Sequence, residues 1–251
     1  MEHAKTDPET VPLAPLELTD SEALLFDILK AACFKIGEQP SRLPDLFGDT
    51  DTPCYVMIAG GWVRDKRMKV VSKDFDLIVP FKMAKMVWAN IRTVIELNKK
   101  LQLKVEYVRD IILQGGKCKD QFLQKVKFEL KYTSPSEKEP IVEVYELDIR
   151  ENKAGETYKE DVKTRDFTIN SAYFNILINE FMVLNTALED IDSRTLRCVC
   201  SFDDTFLCDP SRLLRAVRFE VSKNMRMTPE LDLYLKQNAY DIIVNFRFIE
   251  E

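Results

Sequence analysis

The sequence predicts an α+β fold, and three observations predict it. Apolar runs of strand length recur through the middle of the chain, at residues 55–59, 74–79, 103–108, 126–132 and 141–149. Longer patterns with helical spacing stand beside them, at 23–32 and at 81–100, where Met83, Met86, Val87 and Ile91 share one face. From Pro210 the chain reads as helix, with a second helix expected over 229–239.

Taken in order, residues 1–18 are rich in acids and proline and are expected to be a disordered tail. Thr19-Asp20-Ser21-Glu22 ahead of an apolar run is an N-cap followed by an amphipathic helix, expected on the back of the sheet. Residues 38–53 are a Pro, Asp and Gly loop into the first strand. A short helix is expected over 65–71. Residues 114–119, with Gly115-Gly116, are a turn between strands, since no helix or Asp-x-Asp follows the glycines. Residues 133–140 are a polar loop, and 150–158 a polar, mobile one. Short strands are expected at 181–184 and 196–199, with 190–194 as the turn between them and Cys198 and Cys200 on one strand face.

Composition sets bounds. The chain has 251 residues, enough to bury a sizeable core in one or two domains. It contains no run of membrane-span length and no signal or transit pattern at the N-terminus, so a cytoplasmic protein is expected, with mitochondrial or nuclear placement open. The one histidine is His3, which excludes Ser-His and Cys-His catalysis. Six cysteines without a Cys-x-x-Cys pair argue for reduced thiols rather than a zinc site. Residues 1–50 hold ten acids and four bases, which accounts for the whole net charge of −6. The balanced remainder argues against whole-surface nucleic-acid binding, yet leaves room for a basic face.

The chemistry concentrates in Gly60-Gly61-Trp62-Val63-Arg64-Asp65 and Asp74-Phe75-Asp76. Glycines after a strand let backbone N–H groups approach phosphate oxygens with no Cβ in the way. Asp74 and Asp76 are two apart on a strand, so both carboxylates point to one face, as hard oxygen donors for Mg²⁺ and substrate phosphates. Read alone, an Asp-x-Asp is a solvated strand end.

Gly-Gly-x-Val-Arg-Asp, a short basic linker and Asp-x-Asp together resemble the signature of tRNA CCA-adding enzymes and bacterial poly(A) polymerases, the second class of nucleotidyltransferases. Further blocks agree in order. Arg165-Asp166-Phe167-Thr168-Ile169-Asn170 resembles the motif whose arginine and aspartate hold the nucleotide's sugar and phosphates, although Thr164 replaces a first arginine and Ser171 an alanine. Residues 188–197 resemble a structural hairpin. Asp209-Pro210-Ser211-Arg212-Leu213-Leu214-Arg215 resembles the base-reading motif, with Cys208 where a glutamate is usual. A solvated helix face is the plainer reading of Arg212, Arg215 and Arg218. Asp148 is similar to the third carboxylate of the superfamily, or is a strand-end acid, and Arg150 begins what corresponds to a flexible catalytic loop.

The resemblance implies a polymerase-β-like head with a mixed sheet flanked by helices (19–200), then the start of a helical neck (201–251), where family members continue into body and tail helices. It implies Mg²⁺ on Asp74 and Asp76, with Asp148 as a third catalytic group. Gly60, Gly61, Arg64, Asp65, Arg165, Asp166, Asp209, Arg212 and Arg215 would bind nucleotide. The implied reaction is addition of C and A from CTP and ATP to the tRNA 3′ end. CC-addition, A-addition, polyadenylation and a non-catalytic RNA-binding scaffold remain the alternatives.

Overall fold

A computed structural model describes residues 9–11, 17–37, 55–113, 121–133 and 139–247. Its centre is a mixed eight-stranded sheet. In chain order the strands are β1 (Glu9–Val11), β2 (Met57–Ala59), β3 (Asp74–Val79), β4 (Gln102–Leu113), β5 (Gln121–Tyr132), β6 (Ile141–Glu151), β7 (Tyr173–Asn175) and β8 (Glu180–Val183). They lie side by side as β1-β8-β7-β2-β3-β6-β5-β4. Every pairing is antiparallel except β3 with β6, which run parallel. That parallel pair needs a crossover, and α3 (Ala84–Leu97) with the β4–β5 hairpin supplies it.

The strand period of two divides the molecule. One face carries Val56, Ile58, Phe75, Leu77, Phe128, Tyr145, Leu147 and Phe174, all buried under α1 (Asp20–Gly37) and α3. Trp62 stands at the centre of that core, 5.1 Å from Phe26 and stacked on Phe75 at 5.8 Å, with its indole N–H donating to Glu22 at 3.0 Å. The expected capping box at the start of α1 is present, Thr19 and Glu22 exchanging backbone-to-side-chain hydrogen bonds. The opposite face holds a small apolar cluster of Met57, Ala59, Ile78, Tyr173 and Met182, covered by Tyr158 and Val162 of α4 (Tyr158–Val162). The rest of that face is where the acids stand.

Beyond the sheet come α5 (Ala187–Asp192), β9 (Thr195–Leu196), α6 (Phe202–Phe206), α7 (Ser211–Lys223), β10 (Arg226–Met227) and α8 (Pro229–Arg247), with β9 and β10 paired in parallel.

Several expectations are corrected. Glu9–Val11, inside the expected disordered tail, forms an edge strand that caps the otherwise bare edge of β8. The short helix after the glycines runs Gly61–Arg67 rather than over 65–71, starting directly at the turn. The expected turn at 190–194 is largely α5, because Ala187, Leu188 and Ile191 bury one helical face while Asp190 accepts hydrogen bonds from Thr168 and Thr186. Cys198 and Cys200 do not share a strand. Cys198 sits in an isolated bridge to Phe167, and Cys200 lies beyond it with its thiol on the Lys163 carbonyl. Arg150 is not in a mobile loop either; it is a strand residue of β6 facing Ile78, tied to Asp161 at 2.5 Å. The predicted loop 38–53 and turn 114–119 lie outside the described residues.

Candidate active site

The Gly-Gly turn is built as its sequence requires. Gly60 has φ +67°, a conformation that side-chain-bearing residues rarely adopt, and a Cβ there would meet Asp76 Oδ2 at 3.2 Å and Arg165 Nη1 at 3.6 Å. The chain can turn from β2 into α2 (Gly61–Arg67) only without that carbon. Trp62, sunk in the core, fixes the turn from behind.

Strand register then gathers the acids. On β3, Asp76 is the neighbour of Asp148 on β6, and Asp74 is the neighbour of Glu146. Paired residues on adjacent strands share a face, so Asp74, Asp76 and Asp148 all emerge on the face away from α1 and α3. Burial pushes the carboxyls of Asp76 and Asp74 upward from the usual range. Like charge adds to this: Asp148 raises Asp76, and Glu146 with Asp148 raises Asp74, while Arg165 pulls Asp76 the other way. Asp148 itself accepts a hydrogen bond from Lys125 of β5 at 2.6 Å. That bond is the main cause raising the lysine's affinity for its proton.

Arg165 reaches the same spot from the segment after α4. Its guanidinium donates to Asp161 at 2.8 Å and to the Tyr173 hydroxyl at 3.1 Å, leaving Nη1 beside Gly60. Asp161 is fully buried and bridges Arg165 and Arg150. Burial alone would raise its carboxyl, but the two arginines outweigh burial and hold it down to about 2. Asp161 was not among the sequence candidates. The signal was its position four residues before Arg165, with Arg150 supplied only by the fold.

The remaining candidates separate into two sets. Asp209 and Arg212 face each other at 3.5 Å at the start of α7, and Arg212 donates to the Thr164 carbonyl at 2.7 Å. The backbone of the substituted residue therefore orients Arg212, while Cys208 is exposed. Asp166, by contrast, is committed to structure. It accepts from its own segment at Phe167 N and Asn170, and from Arg215 at 2.7 Å, clamping α7 to the head. Asp65 is likewise held between Arg64 and Lys223, at 2.8 Å and 3.1 Å. Arg64 is buried, bonds Asn170 at 2.6 Å and lies 5.0 Å over the Phe219 ring, its outer amino group against Gly61. Gly60, Gly61, Asp74, Asp76, Asp148 and Arg165 thus come together, while Asp209 and Arg212 form a separate pair at the entry of α7, tied to the segment before Arg165 through the Thr164 carbonyl. Asp65, Asp166 and Arg215 spend their charge joining head and helix.

Whether a divalent cation fits can be judged from the donors. Two carboxylates on one strand face, with a glycine leaving the space in front of Asp76 open, match a hard cation that keeps water and phosphate in its shell. Among the described residues no group of three or more His, Cys, Asp or Glu side chains closes into a complete protein cage. That donor set suits a hard divalent cation. The thiols of Cys33 and Cys198 are pushed to about 12 by burial and play no nucleophilic part.

Residues 56–197 match the family of poly A polymerase head domains, and the chain belongs to that family. It is 37% identical over 84 residues to poly(A) polymerase I of Salmonella typhi, covering 33% of this chain and 17% of that protein. To the tRNA nucleotidyltransferase cca1 of Schizosaccharomyces pombe it is 25% identical over 227 residues, 86% of this chain and 41% of that one. Among solved structures, the Thermotoga maritima CCA-adding enzyme complexed with tRNA-CCA superposes with a TM-score of 0.59 at 19% identity, over 89% of this chain and 43% of that chain. At that identity the likeness is one of fold, the α+β nucleotidyltransferase head. The chain spans less than half the length of these relatives. Among the described residues no helix is long and apolar enough to cross a membrane.

Proposed function

We propose that this chain carries the catalytic head of a template-independent nucleotidyltransferase that adds C and A from CTP and ATP to the 3′ end of tRNA. The observation that carries this reading is the register of β3 and β6. It sets Asp76 beside Asp148 in front of a glycine that leaves room for phosphate, with the Arg165 guanidinium at its edge. Asp74 and Asp76 would hold Mg²⁺, which when bound supplies charge neutralisation on the triphosphate and a more acidic attacking hydroxyl.

The chain's own groups do the rest. Gly60 and Gly61 admit the triphosphate against bare backbone, and Arg165 balances its charge while Asp161 keeps the guanidinium from swinging away. Asp148 accepts the proton as the RNA 3′-oxygen forms its bond to the α-phosphorus and the bond to pyrophosphate breaks. Asp209 accepts from the exocyclic amine of the incoming base and Arg212 donates to the neighbouring ring acceptor, an edge that C and A share.

The test is incubation with Mg²⁺, labelled CTP or ATP, and tRNAs ending before CCA, after CC, or complete. Addition that proceeds C, C, A and stops supports the reading, and Asp76→Ala is expected to abolish it. The identity to poly(A) polymerase I favours a second reading, in which ATP alone is polymerised into a long A tail; the same assay separates the two. Mg²⁺-dependent nucleotide binding with no transfer to any RNA would instead fit a scaffold.

A further inference from the structure

Strand register continues past the carboxylates. Across the sheet, Asp76 of β3, Asp148 of β6, Lys125 of β5 and Arg109 of β4 are successive neighbours, all on the open face. Asp148 stands between two partners, the Asp76 side where a cation would be held, and Lys125 on its other flank. In the structure it has turned to Lys125, at 2.6 Å.

We propose that Lys125 is a positioning residue that keeps Asp148 out of the metal's ligand set and available to accept the proton of the attacking hydroxyl. The claim rests on the nucleotidyl-transfer reading and adds to it a residue that no sequence motif marks. The physical argument is competition. A carboxylate can serve a cation as ligand or an alcohol as proton acceptor, and a divalent ion nearby would ordinarily recruit it. An ammonium at hydrogen-bond distance offers the same oxygen a charge-assisted bond without taking its remaining lone pairs. Lys125 is suited to this, because its side chain is 40% exposed and that of Asp148 34%, so the pair is reached by solvent and substrate rather than sealed in the core. The neighbouring lysines of this face do other work: Lys127 is shared between Glu106 and Glu146, and Lys104 pairs with Glu129. Arg109 stacks on Tyr107 and shows no carboxylate partner among the described residues.

The experiment is a titration with Mn²⁺ alone, read by the loss of the free-ion electron paramagnetic resonance signal, on wild type, Lys125→Met, Lys125→Arg, Asp76→Ala, and Lys125→Met combined with Asp148→Asn. With the ammonium gone, Asp148 joins the ligand set, so Lys125→Met is expected to bind Mn²⁺ about tenfold more tightly, the effect of roughly one extra carboxylate donor. The added Asp148→Asn should remove the gain. In transfer assays Lys125→Met should lose kcat with KM for CTP little changed, and Lys125→Arg should return both affinity and kcat toward wild type. Unchanged Mn²⁺ affinity in Lys125→Met, with Asp76→Ala still abolishing binding, overturns the role of Lys125 and leaves the metal site standing. Mn²⁺ binding that ignores Asp76→Ala overturns the underlying nucleotidyl-transfer reading as well. Circular dichroism of each variant separates these outcomes from misfolding.

Discussion

At the scale of single residues, the site depends on one missing carbon and one buried acid. Gly60→Ala introduces a Cβ 3.2 Å from Asp76 Oδ2 in a backbone conformation with φ +67°. A strained φ of this kind costs on the order of 1–3 kcal/mol, so urea unfolding should show a lower midpoint at unchanged m-value. Transfer should fall more than stability does, because the same carbon intrudes on the phosphate side. Asp161 offers a test in pH. Its carboxyl is held at about 2 in the fold against an ordinary value of 3.8. A group depressed in the folded state stabilises above its unfolded pKa, and that stability is lost as pH falls from about 4 through the folded value. Linkage makes this a contribution of roughly 2 kcal/mol. Wild type should lose stability steeply between pH 4 and pH 2, and Asp161→Asn should flatten that slope while starting from a much lower stability, since it strands two arginines. An unchanged slope in the variant would remove Asp161 from its place as keeper of Arg165.

Between elements, the important joint is the one between sheet and α7. Arg215 to Asp166, Arg212 to the Thr164 carbonyl, Lys223 to Asp65 and Arg64 over Phe219 all cross it. Asp166 is 5% exposed, and although burial favours its neutral form, Arg215 and Asn170 keep it ionised. Arg215→Ala therefore leaves a buried carboxylate short of its partner, at a cost of about 1–3 kcal/mol. Hydrogen exchange should show this as loss of protection concentrated in α7, with β2, β3 and β6 unaffected. How legible such features were in the sequence follows from their range. The Gly-Gly turn, β3 and the start of α1 declare themselves within a few residues, through glycine after an apolar run, Asp-x-Asp and a capping box. α5 was misread because Asp190, Asp192 and Ser193 are turn formers, and its apolar face at Ala187, Leu188 and Ile191 was outvoted. Lys125 and Asp161 were not legible at all in their roles. One depends on register across three strands, and the other on an arginine brought from β6.

For the molecule as a whole, the proposed nucleotide site draws its groups from two parts of one continuous core, the sheet and the entry of α7. Asp74 and Asp76 belong to the sheet and Arg165 to the segment after α4, while Asp209 and Arg212 belong to the entry of α7, which is joined to the head by Arg215–Asp166 and by Leu213, Ala216 and Phe219 buried in the same core. A ligand that touches both binds only the folded, docked arrangement, so it should stabilise the entire chain. At about one hundred times its dissociation constant such a ligand adds about 2.7 kcal/mol, which for a chain of 251 residues corresponds to a rise in Tm of roughly 5–10 °C. CTP or ATP with Mg²⁺ should produce that rise in a thermal scan. Asp76→Asn should cancel most of it by removing the metal's anchor. Arg212→Ala should keep the part contributed by the triphosphate yet lose the difference between C or A and the other bases, because it removes the donor that reads the base edge. If GTP and UTP stabilise wild type as well as CTP and ATP do, then Asp209 and Arg212 are not reading the base, and the buried Arg212 serves only to tie α7 to the Thr164 carbonyl.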